Sequence, residues 1–256
     1  MKTIILAGGL GTRLSEETED KPKPMVLIGE KPILWHLLNI YSSQGFQDFV
    51  LALGYRGDVI KRWLKDLFAL EGDLKFDFTR QEVDFHNKDL QPWVVRTFDT
   101  GIRTQTGGRI AKCMRNFPGE RFLATYGDGL ANIDLKQLID FHESHGKKAT
   151  VTAVRPPARF GQLQFQSSGE VSHFGEKFQA DAGWINGGFF VLEPEVEAYV
   201  YGDDEPFETG ALPRLVKENQ LMAFQHDGFW QPMDTLREKK ELEQLAKLNP
   251  PPWVLS

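Results

Sequence analysis

The sequence predicts an α/β protein in which strands and helices alternate to build one sheet covered by helices. Through the first half of the chain, short runs rich in β-branched and aromatic residues alternate with longer segments whose apolar residues recur at helical spacing. This alternation is typical of βαβ units, whose strands lie parallel in a common sheet. The chain has 256 residues, of which 41% are hydrophobic, and it encloses a core most simply as one large domain.

Three strands and two helices of the first half are marked clearly by their residues. The predicted strands are residues 3–7, 48–53 and 122–126, and the predicted helices are residues 32–41 and 59–68. Pro32 suits the first turn of a helix, and Gly45 suits the end of one. The charged stretch between Phe76 and Thr106 predicts a hairpin that faces solvent or another subunit.

The composition of the chain changes after Lys148, where short strands separated by Gly, Pro and Ser replace the longer alternation. The predicted strands here are residues 149–154, 161–165, 171–174 and 184–192. We expect them to form a β-rich elaboration on the same sheet. Helices are predicted again at residues 212–218 and 236–248, and the prolines at 250–252 end the second of them.

Charge and terminal sequence narrow the class of protein. The formal charge is −6, from 30 Lys and Arg against 36 Asp and Glu, so a phosphate-bearing ligand must be held by local groups, and nucleic acid is not an expected partner. The apolar run before the first glycines covers only residues 3–7, which is too short for a signal peptide or a membrane span. We expect a soluble, cytoplasmic protein. The single cysteine, Cys113, has no disulfide partner and no metal-ligand spacing around it.

A glycine loop, residues 8–11, follows the first predicted strand directly. Glycines there let backbone N–H groups approach an anion, but a plain turn has the same composition, so both interpretations stay open. The Lys-Ser/Thr ending of a P-loop is absent, because Thr12 and Arg13 follow Gly11. A dinucleotide fingerprint, as in many oxidoreductases, would need glycine where Leu14 stands.

Three charged residues outside the loop are candidates for phosphate or metal binding. In Lys21-Pro22-Lys23-Pro24 the prolines stiffen an extended segment, so Lys23 either points at a phosphate or is a solvated charge. Asp128 follows a buried strand, where an acidic residue can bind Mg²⁺ or cap the next helix. Asp234 precedes a predicted helix and is open to the same two interpretations.

Two of these segments together resemble the signature of the sugar-phosphate nucleotidylyltransferases. The matching stretches are Leu6-Ala7-Gly8-Gly9-Leu10-Gly11-Thr12-Arg13-Leu14 and Lys21-Pro22-Lys23-Pro24-Met25. Glu176-Lys177 is similar to the family's Glu-Lys-Pro motif, with Phe178 in place of the proline, and Asn186-Gly187-Gly188-Phe189 resembles its sugar-binding turn. The resemblance implies a Rossmann-like nucleotidyltransferase fold with a mostly parallel mixed sheet. It also implies a nucleotide-binding part in residues 1–146 and a sugar-binding part with the C-terminal helices in residues 147–256.

The resemblance further implies a role for each matching residue. The catalytic residues it implies are Arg13, Lys23, Asp128 and Asp234, of which Asp128 and Asp234 would bind Mg²⁺. The nucleotide-binding residues it implies are Leu6, Ala7, Gly8, Gly9, Leu10, Gly11, Thr12, Arg13, Lys23, Thr104, Arg109, Gly127 and Asp128. The sugar-phosphate-binding residues it implies are Glu176, Lys177, Asn186, Gly187 and Gly188. We expect Gly127 to leave room for substrate.

Over nearly the whole chain the resemblance is to family members that use CTP and glucose 1-phosphate. The stretches that carry it are residues 31–36, 106–109, 125–129, 185–192 and 228–236. It implies release of pyrophosphate and a homo-oligomer, namely a hexamer. A UTP- or dTTP-using enzyme stays an alternative, since it would share every phosphate-handling residue. A non-catalytic sugar-nucleotide sensor is the other, although the chain retains Lys23, Asp128 and Asp234.

Overall fold

A computed structural model of the protein describes residues 1–70, 72–86, 91–156, 161–176 and 183–255. The strands, in chain order, are β1 (Lys2–Ala7), β2 (Leu27–Ile28), β3 (Lys31–Pro32), β4 (Asp48–Leu53), β5 (Asp73–Asp77), β6 (Glu82–His86), β7 (Val94–Asp99), β8 (Phe122–Tyr126), β9 (Gly129–Ala131), β10 (Ala149–Val154), β11 (Gly161–Phe165), β12 (Val171–Glu176), β13 (Ile185–Leu192), β14 (Leu221–His226) and β15 (Trp230–Pro232). The helices are α1 (Ser15–Thr18), α2 (Ile33–Ser42), α3 (Gly57–Leu70), α4 (Thr106–Arg115), α5 (Leu135–His145), α6 (Ala211–Lys217) and α7 (Leu236–Leu245).

The central sheet has seven strands in the order β14-β10-β13-β8-β1-β4-β7. β1 runs parallel to both β4 and β8, β4 parallel to β7, and β10 parallel to β14. β13 is the exception, because it lies antiparallel to both of its neighbours, β8 and β10. The predicted α/β fold with a mostly parallel mixed sheet is therefore confirmed. Strands from residues 1–146 and from residues 147–256 share this one sheet, which supports a single domain.

Each face of the sheet is covered by its own apolar layer. Along β1, Ile5 and Ala7 pack into one layer with α2 and part of α5, while Ile4 and Leu6 pack into the other with α4 and α6. This division follows from the strand geometry, since successive side chains point to opposite faces. Strands buried on both faces explain why the sequence shows continuous apolar runs here rather than alternation.

The β-rich elaboration predicted after Lys148 is only partly correct. β10, β13 and β14 do extend the central sheet, but β11 and β12 pair with each other as a separate two-stranded hairpin. The local turn explains this difference, because Gln166 and Glu170 close it by a backbone hydrogen bond and Gly169 adopts a positive φ of 89°. The charged hairpin predicted between Phe76 and Thr106 is present only in part, as β5 and β6, because the later part of that stretch contains β7, which pairs with β4 in the central sheet.

Two further sequence expectations can be compared with the described residues. Cys113 is buried in the layer formed by α4, and burial raises the pKa of its thiol to about 12, so the thiol stays protonated and unreactive. Among the helices of the described ranges, none combines the length and the apolar character that a membrane crossing requires.

Gly127 allows the end of β8 to lie against the neighbouring strand. A Cβ atom there would come 2.4 Å from the Leu6 carbonyl oxygen and 2.8 Å from Pro24 Cγ. Both distances are far shorter than a normal van der Waals contact. The segment that carries Lys23 and strand β1 therefore pack directly against this position. The space beside Gly127 is thus occupied by protein, contrary to the expectation that it leaves room for substrate.

Replacing Gly127 by Ala is expected to lower the free energy of unfolding by about 1–3 kcal/mol, because the methyl group overpacks a backbone contact. Urea unfolding followed by circular dichroism measures this. Gly202→Ala is the matched control, since a Cβ at Gly202 would lie more than 4 Å from every atom in the described part of the chain beyond its two chain neighbours. The control should change stability by less than about 0.5 kcal/mol. Equal effects of the two substitutions would contradict the packing role of Gly127.

Candidate active site

The glycine loop leaves β1 at the edge of the sheet and is held from beneath by Arg109. The guanidinium is almost fully buried, and its Nη2 donates to the Gly8 carbonyl over 2.8 Å. Its Nη1 donates to the Leu53 carbonyl at 3.0 Å and to Thr100 Oγ1 at 2.5 Å. On the other side, no atom of the described residues beyond its two chain neighbours lies within 4 Å of the position that a Cβ would take at Gly9. The loop therefore has one face fixed by the protein and one open face.

Thr104 and Arg109, for which the resemblance implies nucleotide contacts, bond to the protein itself in this structure. The Thr104 hydroxyl is buried and donates to the Thr100 carbonyl over 2.6 Å. Burial lowers the pKa of Arg109, and the nearby charge of Asp99 opposes that effect. Arg109 remains cationic because a guanidinium is essentially always protonated in proteins. Their contact with a nucleotide stays a prediction.

Lys23 lies at the centre of a charge cluster rather than in solvent. Its Nζ is 2.7 Å from Asp128 Oδ2 and 2.6 Å from Asp234 Oδ1, and the lysine side chain is only 10% exposed. Burial alone would lower the pKa of Lys23, but the charges and hydrogen bonds of Asp128 and Asp234 outweigh it and raise that pKa above its ordinary value. The interpretation of Lys23 as a solvated surface charge is therefore wrong.

A short antiparallel ribbon brings the two aspartates together although they are far apart in the chain. β9 begins directly after Asp128 and pairs with β15, so that Gly129 lies opposite Pro232. The Met233 amide also donates to the Asp128 carbonyl over 2.8 Å. Asp234 follows at once and is thereby placed beside Asp128. The convergence depends on this strand pairing, which sequence spacing alone does not reveal.

Neither aspartate caps a helix. The N-cap of α5 is Asp134, whose side chain accepts from the Gln137 amide. The N-cap of α7 is Thr235, which forms a capping box with Glu238. The cap interpretation of Asp128 and Asp234 is therefore wrong, and their carboxylates interact with cationic side chains instead.

Arg13 completes the cluster from the solvent side. Its Nη1 is 2.7 Å from Asp234 Oδ2, and its side chain is 73% exposed. An ion pair this exposed contributes little stability, so the arginine is free to exchange the carboxylate for a ligand phosphate. The cluster then contains two cations and two carboxylates at the mouth of the glycine loop.

Residues 186–188, predicted as a sugar-binding turn, instead belong to β13, where its pairing with β10 shifts register, and we call this irregular segment the turn. It lies beside the same cluster. The Gly188 amide donates to Asn186 Oδ1 over 2.8 Å, and Trp230 Nε1 donates to the Gly187 carbonyl over 2.8 Å. Gly188 has a φ of 81°, and a Cβ there would lie 2.3 Å from Tyr126 Cδ2. Contacts with two aromatic side chains, Tyr126 and Trp230, thus hold the turn in place.

The structure thus places the glycine loop, Lys23, Asp128, Asp234 and the turn of residues 186–188 along one edge of the sheet. Lys177 lies outside the described residues, and Glu176 ends β12 next to that gap. Sequence reasoning assigned no role to Tyr126 or Trp230 in holding the turn. The sequence indicates such a role only by their position inside the quoted motifs, where Tyr126 lies next to Gly127 and Trp230 precedes Asp234.

An α/β fold with paired carboxylates, buried cations and an open glycine loop at one sheet edge is typical of an enzyme that handles phosphate groups. The sequence profile of the nucleotidyl transferase family matches residues 2–237. The chain belongs to this family.

Named proteins resemble this chain over nearly its full length. A glucose-1-phosphate cytidylyltransferase of Salmonella typhi is 50% identical over 254 residues, which are 99% of this chain and 98% of the relative. A Bacillus subtilis protein named a probable glucose-1-phosphate cytidylyltransferase is 41% identical, covering 99% of each chain. The crystal structure of HddC from Yersinia pseudotuberculosis complexed with GMP-PN superposes with a TM-score of 0.68 at 25% identity, covering 96% of this chain and 99% of that one. The resemblance found in the sequence is confirmed.

Asp128→Asn and Asp234→Asn are each expected to reduce turnover, followed as pyrophosphate release, by at least about 10²-fold, because each removes a carboxylate that holds Lys23 in place and that would bind Mg²⁺. Both variants should still unfold cooperatively. A variant that kept more than about a tenth of the wild-type rate at saturating Mg²⁺ would show that its carboxylate is not needed for the reaction.

Thr235→Ala is the neighbouring control for Asp234→Asn. It removes the N-cap and should lower the free energy of unfolding by about 1 kcal/mol while most of the turnover remains. The two substitutions therefore separate capping from catalysis at adjacent positions. Loss of turnover in Thr235→Ala comparable to that in Asp234→Asn would contradict this separation.

Proposed function

We propose that this enzyme transfers a cytidylyl group from CTP to glucose 1-phosphate, giving CDP-glucose and pyrophosphate. The observation that carries the proposal is the 50% identity, over 99% of the chain, to a protein named glucose-1-phosphate cytidylyltransferase. The cluster of Lys23, Asp128 and Asp234 supports it, since an enzyme of this class must bring two anions together.

In the proposed reaction, a phosphate oxygen of glucose 1-phosphate attacks the α-phosphorus of CTP, and the bond to the β-phosphate oxygen breaks on the opposite side. The attacking oxygen is already anionic, so no general base is required. The backbone of residues 8–11, with Thr12 and Arg13, would bind the triphosphate on the open face of the loop. Lys23 would neutralise charge at the α-phosphate, and Lys177 would bind the sugar phosphate.

The residues present fit a magnesium ion. In the described part of the chain, no three His, Cys, Asp or Glu side chains converge on one metal position, but Mg²⁺ is commonly held by one or two carboxylates together with substrate phosphates. Asp128 and Asp234 would supply those two carboxylates. The ion, when bound, would add positive charge at the transferred phosphate.

Lys23 and a divalent cation should compete, because both require the same two carboxylates. We expect Lys23→Met to raise the affinity of the free enzyme for Mn²⁺ by about tenfold, or ~1.4 kcal/mol, while turnover with CTP falls strongly. Electron paramagnetic resonance of free Mn²⁺ measures the affinity without relying on activity. Lys136→Met, at an exposed ion pair on α5, is the control and should change neither quantity. Unchanged or weaker Mn²⁺ binding in Lys23→Met would contradict the competition.

The proposal also requires a group that selects the base. Leu6, Ala7 and Gly8 are among the nucleotide-binding residues that the resemblance implies, but the Gly8 carbonyl already accepts from Arg109 and from the Tyr55 amide. Its two lone pairs are therefore used, and another group of this region must accept from the cytosine amine. A hexameric assembly, implied by the family resemblance, and the cytoplasmic location expected from the sequence are further parts of the proposal.

Steady-state kinetics over a matrix of nucleotides and sugar 1-phosphates tests the proposed function. With glucose 1-phosphate saturating, kcat/KM for CTP should exceed that for UTP, dTTP, ATP or GTP by at least about tenfold, since a mismatched base leaves a buried polar group unpaired. Equal or better use of UTP or dTTP would favour the other members of the family. No turnover with any pair would favour a non-catalytic sugar-nucleotide-binding protein.

A further inference from the structure

Four polar side chains form a network that connects the sugar-binding turn to the rest of the fold. Tyr126 ends β8, Asn186 begins the turn, Thr106 begins α4, and Glu208 precedes α6 in the chain. The Tyr126 hydroxyl donates to Glu208 Oε1, and Asn186 Nδ2 donates to the Tyr126 hydroxyl over 3.0 Å. Glu208 has no counterpart among the motifs that the sequence displays.

The other oxygen of Glu208 is also occupied, which fixes the carboxylate. Thr106 Oγ1 donates to Glu208 Oε2 over 2.7 Å and accepts from the Phe207 amide over 2.8 Å. The Phe207 side chain is fully buried between the two helices. Glu208 therefore presents Oε1 to Tyr126 in one orientation.

This arrangement dictates the direction of every hydrogen bond in the network. A carboxylate only accepts, so the single hydroxyl proton of Tyr126 must lie on the bond to Glu208. The hydroxyl can then only accept from Asn186, which turns the amide nitrogen of Asn186 toward Tyr126. The amide oxygen is turned toward the Gly188 amide, which donates to it. The other amide N–H of this exposed side chain donates to none of the described residues and is left as a donor for a ligand.

We infer that Glu208 is a positioning residue for the sugar substrate. Through Tyr126 it fixes the amide of Asn186, so that the turn offers an N–H donor, and not a carbonyl, to an oxygen of the sugar 1-phosphate. The Tyr126 ring supports the same turn from below, since it lies directly against Gly188. This inference rests on the proposed function, because it assigns residues 186–188 to the sugar side of the site.

The effect of Glu208 should fall on the sugar phosphate and not on CTP. Among the described residues, its side-chain hydrogen bonds go to Tyr126 and Thr106, and none reaches the glycine loop, Lys23 or the two aspartates. Loss of the network therefore releases the turn while the phosphate-handling cluster stays in place. A general structural defect would instead weaken the binding of both substrates, or it would lower only the stability of the protein.

The chain contains a matched control for this interaction. Tyr199 donates its hydroxyl to Glu218 Oε2, in a second tyrosine–glutamate pair remote from the turn. We expect Glu208→Gln to raise the KM for glucose 1-phosphate about tenfold, because Gln offers one acceptor oxygen where two are needed. The KM for CTP should stay within about twofold. Glu218→Gln should leave both KM values unchanged, and thermal unfolding of the two variants should be similar.

A double-mutant cycle tests whether Glu208 acts through Tyr126. Tyr126→Phe removes the hydroxyl, so adding Glu208→Gln to it should raise the KM for glucose 1-phosphate no further. Thr106→Val removes the hydrogen bond to the second carboxylate oxygen of Glu208 and should raise the same KM by a smaller factor. This variant replaces Glu208→Gln in the test if Glu208→Gln folds poorly. Additive effects in the cycle, a change confined to CTP, or behaviour of Glu208→Gln identical to that of Glu218→Gln would overturn the inference.

The wild-type enzyme in the same assay separates this inference from the proposed function. If the wild type prefers another sugar 1-phosphate, the proposed substrate is wrong, and the cycle is run with the preferred one. A selective rise of that KM in Glu208→Gln would still support the positioning role. If the wild type uses no sugar 1-phosphate, both the proposed function and the inference fail.

Discussion

The site depends on one shared ion pair, in which the Lys23 ammonium lies between the carboxylates of Asp128 and Asp234. A charge this deeply buried costs several kcal/mol to desolvate, so it persists only where partners of opposite charge are held in place. Three distant segments of the chain are tied together at this point. Gly127, the β9–β15 ribbon and the Thr235 cap all serve to bring those segments to it.

The direction of β13 explains how nucleotide and sugar elements reach the same edge. Parallel strands β1 and β8 both end there, which places the glycine loop beside Asp128. β13 is antiparallel to β8, with Phe189 opposite Thr125, so its beginning lies where β8 ends. A turn at the start of β13 therefore faces loops at the ends of the others. In an all-parallel sheet the same turn would lie at the opposite edge.

The sequence predicts buried strands well because burial on both faces leaves a continuous apolar run. The bounds of β4, β8 and β10 agree with the predicted ones at both ends. The pairing partners of the strands could not be predicted in the same way. The sequences of β11 and β12 resemble those of the other predicted strands, and only the turn between them determines that they pair with each other. Asp234 and Thr235 are both good N-cap residues, and only the three-dimensional path of the chain decides between them. Glu208 is connected to the site by tertiary contacts with Tyr126 and Thr106, and such contacts leave no pattern in the sequence.

Arg109 supports the glycine loop from the side opposite its open face. A loop that binds phosphate through its N–H groups must turn its carbonyl oxygens away from the ligand. Arg109 and the Tyr55 amide hold the Gly8 carbonyl in that inward direction, and the buried guanidinium adds a positive charge beneath the loop. A smaller or neutral side chain would leave buried carbonyls without donors, at a cost of about 1–3 kcal/mol for each unsatisfied group. The requirement for arginine at this position therefore follows from the loop that it supports.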